Sequence, residues 1–164
     1  MYIKQVTEKN FDELYNIYMH PEINPYLSFE IMNKSSFKPI FQELHHSGKH
    51  LKYVDKGNTI LATAILKYHS RRLSHVVTLT TLAVPENQQG KGYAQLFILK
   101  IITELKIEGI KRIDLTVEAD NPKAQKLYQK LGFQIEGTLK EYYKRSTQNH
   151  YVDEIMMAKD ISKP

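Results

Sequence analysis

The sequence predicts one domain, spanning residues 1–164, of mixed α and β class (α/β, α+β), with a mixed central sheet of about six or seven strands flanked by about four helices. Three observations carry that expectation. In several short runs rich in Val, Ile, Thr and Tyr the apolar residues alternate, the mark of half-buried strands. Elsewhere they recur every three or four residues, as on one face of a helix. The length of 164 residues, with 41% apolar content, suits one core that hides roughly two thirds of the unfolded surface, and a second domain is not expected.

The elements follow in order. Residues 2–6 alternate as a short strand; then Phe11, Leu14, Ile17 and Tyr18 recur at helical spacing until Pro21 ends the pattern, which leaves residues 20–27 as a loop. Ser35 or Ser36 suits the cap of a second helix, whose stripe is Phe37, Ile40, Phe41 and Leu44 and whose stop is Gly48. Residues 51–54 and 59–66 read as a hairpin about Lys56-Gly57-Asn58, and residues 74–84 as a longer strand ended by Pro85. From Gly92 the period changes. Leu96, Leu99, Ile102 and Leu105 are expected to share one helical face, with Lys100, Glu104 and Lys106 elsewhere and Gly109 as the stop. Residues 113–117 form a buried strand, residues 122–131 a short helix ended by Gly132, and residues 133–139 and 151–158 two last strands.

Composition narrows the chemistry. With no cysteine, disulfides, thiolate zinc sites and a cysteine nucleophile are excluded. His45 and His46 are adjacent, and no HExxH pattern occurs, so no metal is expected. The 23 basic residues are scattered among 18 acidic ones for a net charge of +5, which favours anionic ligands in general. No helix-turn-helix, zinc-finger or ribonucleoprotein signature accompanies them, so a nucleic-acid partner is not expected. The N-terminus lacks the order of a signal peptide and no run is long and apolar enough to span a bilayer, so the expected location is cytoplasmic, away from membranes.

The most informative segment is Pro85-Glu86-Asn87-Gln88-Gln89-Gly90-Lys91-Gly92-Tyr93-Ala94, between the end of a strand and the start of an apolar-periodic helix. Two glycines let the backbone turn tightly, and the unpaired amides and positive end of the helix dipole attract phosphate. A Walker A loop needs glycine at its start and Ser or Thr after the lysine, where this chain has Pro85, Glu86 and Gly92. A dinucleotide fingerprint needs a third glycine at position 95, which is Gln95. An ordinary glycine-rich turn stays open on these residues alone.

Gln89, Gly92 and Ala94 fill the pattern Gln/Arg-x-x-Gly-x-Gly/Ala and resemble the coenzyme A loop of the GNAT acetyltransferase superfamily. Downstream, Asn121, Ala124, Tyr128, Gly132 and Phe133 resemble its second signature, Asn-x-x-Ala-x-x-x-Tyr-x-x-x-Gly-Phe, at every fixed position. On a helix from Pro122, Ala124 and Tyr128 share a face, so a small residue opens space beside a phenol. The resemblance covers about residues 74 to 159, with strand, loop and helix in the superfamily's order. The last two strands narrow it to bacterial branches that acetylate amino acids, polyamines or ribosomal-protein N-termini.

The resemblance implies a fold, a donor and site residues. The fold is the GNAT fold and the donor acetyl-CoA. Backbone amides near Leu82, Ala83 and Val84 would bind the thioester carbonyl at a splayed strand end. The amides of Gln89, Gly90, Lys91, Gly92, Tyr93 and Ala94 would hold the pyrophosphate, helped by the Lys91 charge and the Gln89 side chain. Asn121 would bind the pantetheine arm, a role to set beside that of an N-cap. Tyr128 would protonate the leaving thiolate; outside the motif a tyrosine is in the ordinary case a packed core aromatic. Asn24 and Tyr26, in a loop similar to the superfamily's acceptor-lining segment, would touch the acceptor.

The general base is left open. Some relatives carry glutamate where this chain has Thr116. Glu118, on the same strand face, and His75, early in the preceding strand, are the substitutes, with a water relay beside them; an exposed glutamate is in the ordinary case only a solvated charge. The expected function is transfer of acetyl to a primary amine of a small molecule, with a protein N-terminus or lysine as the alternative acceptor and a non-catalytic acyl-CoA sensor as the alternative class. Many members of the superfamily pair as homodimers, and the last strand is where such pairing would be sought.

Overall fold

The computed structural model describes residues 1–163. Along the chain run β1 (Tyr2–Gln5), α1 (Phe11–Tyr18), α2 (Lys34–His46), β2 (Lys49–Val54), β3 (Ile60–Tyr68), β4 (Val76–Ala83), α3 (Tyr93–Ile107), β5 (Arg112–Glu118), α4 (Pro122–Lys130), β6 (Gln134–Tyr143) and β7 (Val152–Asp160). The seven strands form one sheet in the order β1-β2-β3-β4-β5-β7-β6. The sheet is mixed, because β4 and β5 are parallel while the other registered pairs are antiparallel. The expected element order and class hold. By internal contacts the chain divides into two compact units, Met1–Tyr68 with Leu79–Lys100, and His69–Thr78 with the residues from Ile101 onward.

In the first unit the core is aromatic. Tyr18, Phe37 and Phe41 are fully buried with Leu14, and Phe11 meets Phe41 edge-on at 5.3 Å between ring centroids. The α1 stripe at 14, 17 and 18 faces the α2 stripe at 37 and 41, so two amphipathic helices close on one another. Capping differs from expectation. Asn33, not Ser35 or Ser36, caps α2, its side chain accepting from the Ser36 backbone N–H at 2.9 Å. An Asx side chain reaches that amide better than a serine already inside the first turn. Behind the helices, the Tyr18 hydroxyl lies 2.9 Å from His50 Nε2 and 3.1 Å from the Thr63 hydroxyl. Burial holds the His50 imidazole at about 4, below its ordinary value of 6.5, and the neighbouring His45 adds to the shift.

The stripe expected on α3 is corrected. Phe97, Ile98, Ile101, Ile102 and Leu105 are buried, while Leu96 and Leu99 are more than 40% exposed. Steps of three residues fall about 60° short of a full turn, so a strict i+3 series walks off its face, whereas the i, i+1, i+4, i+5 set stays on it.

In the second unit β5 is the organising strand. β7 pairs with it antiparallel from Arg112↔Asp160 to Glu118↔Glu154. On its other edge the parallel pairing with β4 covers Val76↔Arg112 to Thr78↔Asp114. β6 runs to Tyr143, past the expected end, across a register irregularity between Leu139 and Tyr143. There Asp153 accepts from the Glu141 backbone N–H and from Lys140 Nζ, both at 2.8 Å. Glu141 is left at φ +51, so one carboxylate holds a bulge that strand periodicity does not announce.

Candidate active site

The loop between β4 and α3 starts with a single 3-10 turn, Glu86–Gln88. Gly90 and Gly92 follow at φ +75 and +80, and a Cβ built on either meets no atom within 4 Å. These are backbone conformations that L side chains avoid, in open space. The first turn of α3 closes from Leu96 N–H to the Gly92 carbonyl at 3.1 Å. The amides of Tyr93, Ala94 and Gln95 therefore lie ahead of the first intrahelical bond, at the positive end of a helix of 15 residues. Two positive-φ glycines leading into such an end fit a phosphate group. Gln89 Nε2 donates to the Val84 carbonyl at 3.3 Å, tying the loop to the strand it leaves, and Lys91 Nζ donates to Gln88 Oε1 at 3.1 Å on the surface.

The strand end before the loop is irregular for a reason absent from the sequence reading. Thr81 has φ +53, a genuine outlier for a β-branched residue. Leu82 and Val84 are half-buried and Ala83 buried. The parallel register on β5 ends at Thr78↔Asp114 while β5 continues on β7 to Glu118. Nothing in the string Leu79-Thr80-Thr81-Leu82 forecasts a left-handed threonine, so this feature had no local signal.

In the second unit, the end of β5 and α4 bring three polar groups together, Glu118, Asn121 and Tyr128. Asn121 caps α4 by accepting from the Ala124 N–H at 3.2 Å, so the capping reading holds. Its Nδ2 donates to Glu118 Oε2, also at 3.2 Å. Glu118 is only 9% exposed, so the picture of a solvated surface charge is corrected. Burial pushes its carboxyl above the usual carboxylate range, hydrogen bonds from its own backbone and from Asn121 pull it back, Glu154 adds to the rise and Arg145 opposes it. Tyr128 is buried against Phe133, ring centroids 5.7 Å apart. Burial first, and then the negative charge of Glu118, push its phenol up from the ordinary tyrosine value, which places the two groups within electrostatic reach of one another. Ala124, one turn before Tyr128, is half-buried.

Two residues that no motif marked complete this cluster. Arg145, in the loop between β6 and β7, is buried and makes a two-pronged ion pair with Asp120, Nη1 to Oδ2 at 2.7 Å and Nη2 to Oδ1 at 3.0 Å. Its guanidinium also covers the Tyr143 ring at 5.1 Å. Glu154, directly opposite Glu118 on β7, is 8% exposed. The one sequence signal for Glu154 is a carboxylate opening an apolar strand; Arg145 and Asp120 meet only through the fold.

Three expected residues lie elsewhere in character. His75 precedes β4 rather than standing in it, its side chain is exposed, and its carbonyl accepts from the Lys111 and Arg112 amides. Asn24 is buried and its Nδ2 donates to the Tyr18 and Phe29 carbonyls at 3.0 and 3.1 Å, which makes it a clamp within its loop. Tyr26, beside it, is 43% exposed. Among the described residues no group of three or more His, Asp or Glu could hold a metal ion. No helix among them is long and apolar enough to cross a membrane.

Comparison with known proteins follows the same lines. The acetyltransferase (GNAT) family matches residues 8–133. A [ribosomal protein bS18]-alanine N-acetyltransferase of Haemophilus ducreyi is 30% identical over 141 residues, 86% of this chain and 88% of the relative. An L-amino acid N-acetyltransferase of Escherichia coli is 37% identical over 92 residues, 54% of this chain and 53% of the relative. Among solved structures, a spermidine N-acetyltransferase from Vibrio cholerae in complex with CoA and spermine superposes with a TM-score of 0.84 at 20% identity, covering 99% of this chain and 96% of that one. The family match, the strand order and the glycine-lined loop ahead of α3 agree: the chain belongs to the GNAT acetyltransferase family and is an acetyl-CoA-dependent N-acetyltransferase.

Proposed function

We propose that the whole chain works as one cytoplasmic acetyltransferase domain that acetylates a primary amine of a small molecule, of the amino-acid or polyamine kind, with Tyr128 as proton donor. The observation that carries this reading is the buried Tyr128 phenol in the last turn of α4, within electrostatic reach of the Glu118 carboxylate, which Asn121 hydrogen-bonds. Bound acetyl-CoA supplies an activated thioester carbonyl; the rest falls to the chain.

The amides from Gln89 to Ala94, two of them on positive-φ glycines, bind the pyrophosphate, with Lys91 adding Coulomb attraction. The registered pairing of β4 with β5 ends at Thr78 and Thr81 turns left-handed beyond it, and on that edge the amides of Leu82, Ala83 and Val84 polarise the carbonyl. Asn121, fixed by its cap on α4, holds the pantetheine arm beside Ala124, where the missing side chain leaves room. Tyr128 stays protonated at working pH and gives its proton to the departing sulfur. The burial that raises the phenol raises a thiolate in the same surroundings as well, so the transfer keeps its driving force. Glu118, poised toward the protonated form by burial, takes the proton that the acceptor ammonium must lose; the exposed His75 is the weaker choice.

A protein N-terminus is the second reading, favoured by the 86% of this chain that aligns with the bS18-alanine acetyltransferase. Thiol release from acetyl-CoA across small amines, diamines and peptides, with Gly92→Glu and Tyr128→Phe in parallel, tests both. Turnover on small amines supports the first reading and turnover on peptides alone supports the second. Tight acetyl-CoA binding without turnover on any amine would make the chain an acyl-CoA sensor.

A further inference from the structure

Glu118, Ala119, Asp120 and Asn121 make the turn from β5 into α4, with the proposed base at one end and the proposed pantetheine ligand at the other. Backbone groups fix much of it. The Asn121 N–H donates to the Glu118 carbonyl at 3.0 Å, and the Ala119 N–H donates to the Asp153 carbonyl of β7 at 2.8 Å. Gln125 Nε2, from α4, donates to the carbonyls of Glu118 and Ala119, both at 3.0 Å. Asp120 is fixed through its side chain. Its carboxylate takes both prongs of Arg145, at 2.7 and 3.0 Å, and a forked contact of that kind sets direction as well as distance.

In the loop of residues 144–151 Arg145 alone is buried. Enclosing a long cationic side chain costs both rotamer freedom and hydration, and an apolar anchor would hold a loop without the second cost. The guanidinium does what an apolar side chain cannot: it brings a positive charge to the turn. That charge opposes the rise that burial, above all, and also Glu154 give the Glu118 carboxyl. The other charged and titratable groups around Glu118 and Asp120 are Glu154 on β7, Tyr128 on α4, and Tyr143 and His150 beside the Arg145–Asp120 pair.

We propose that Arg145 is a positioning residue for acetyl transfer: through Asp120 it sets the place of Glu118 and Asn121, and it supplies the positive charge beside the Glu118 carboxylate. The inference rests on the acetyltransferase reading above, with Glu118 as base, and adds the residue that holds that base ready. Arg145 acts through Asp120 and through its field.

The test follows kcat/KM for 1,4-diaminobutane against pH in the wild type, Arg145→Gln, Arg145→Lys and Asp120→Asn, with circular dichroism to show that each variant folds. The acid limb of that profile reports the base of the free enzyme. Arg145→Gln removes the positive charge and leaves Asp120 without it, so the limb moves to higher pH, by about half a pH unit or more. Asp120→Asn keeps the positive charge and removes its counter-ion, so the limb moves to lower pH. Arg145→Lys keeps the charge but not the fork; the limb stays, and kcat falls about tenfold as the turn loses its place. A loop that merely loosened would move the first two limbs the same way. Opposite displacements support the positioning role, and displacements of one sign, or none, overturn it. An unchanged profile in Glu118→Gln overturns it too, because the base is then elsewhere, while the acetyltransferase stands. If Arg145→Gln does not fold, Asp120→Asn set against Arg145→Lys decides in the same way. If the wild type releases no thiol with any amine, the acetyltransferase reading fails, and 13C NMR of glutamate-labelled protein decides the role of Arg145. The Glu118 carboxyl, assigned by its loss in Glu118→Gln, then titrates at higher pH in Arg145→Gln and at lower pH in Asp120→Asn; a midpoint that stays in place, or moves one way in both, refutes that role.

Discussion

Gly92 and Gly109 offer a matched pair of perturbations. Both stand at φ +80, and at both a methyl group would meet nothing within 4 Å. Gly92 lies in the proposed phosphate loop directly before α3, and Gly109 follows the other terminus of that helix. Replacing either by Ala forces a Cβ into the left-handed region at a cost of about 1–2 kcal/mol. For a chain of this length each kcal/mol lowers Tm by about 2–4 °C, so both variants are expected to melt a few degrees early and by similar amounts. Ligand binding separates them. At Gly92 the methyl enters the space proposed for the pyrophosphate, and the Kd for acetyl-CoA is expected to rise about tenfold or more, equivalent to at least about 1.4 kcal/mol. At Gly109 it does not change. Scanning calorimetry and isothermal titration calorimetry read the two effects. Equal acetyl-CoA affinities in the two variants would refute the loop assignment, and an unchanged Tm in both would refute the strain argument.

Three further outcomes follow from the buried polar groups. Tyr128→Phe lowers kcat about 100-fold or more, the loss of a positioned acid, with acetyl-CoA affinity nearly intact in calorimetry; full turnover at every pH would remove the phenol from the mechanism. His50 is neutral in the folded state and protonates on unfolding, so the unfolded chain binds more protons between its ordinary value of 6.5 and about 4. Stability therefore falls as pH drops through that window, by about 3 kcal/mol in all. Urea unfolding at stepped pH should show that loss, and His50→Gln should flatten it; an identical slope in the variant would contradict the burial argument. Arg145→Lys gives up the two-pronged pair with Asp120 and the stack on Tyr143, and is expected to cost about 1–3 kcal/mol in thermal unfolding; an unchanged Tm would mean that the loop between β6 and β7 is held by other contacts.

Legibility in the sequence follows the range of the interactions involved. The strand and helix order could be read because each element carries its own period, and the glycine loop because two positive-φ glycines beside a helix start are local chemistry. The α3 stripe was misplaced at Leu96 and Leu99 because an apolar helix of that density offers several faces, and only burial against the sheet selects Phe97 and Ile98. The Asn33 cap lost to Ser35 and Ser36 because all three are good capping residues, separated only by which side chain reaches the Ser36 amide. Thr81 had no signal at all, since a β-branched residue disfavours the left-handed φ that it adopts. Glu118 looked like a surface charge for want of its strand partner: β7 brings Glu154 opposite it, and that register, like the Asp120–Arg145 pair, exists only once distant segments meet.

Group transfer to an amine is the property to measure. Incubating the chain with acetyl-CoA and 1,4-diaminobutane, and following free thiol together with the mass of the amine, tests it in one step. The expected result is thiol release that depends on the amine, matched mole for mole by N-acetylated product and abolished by Gly92→Glu. Thiol release with no acetylated amine, or full activity in Gly92→Glu, would contradict it.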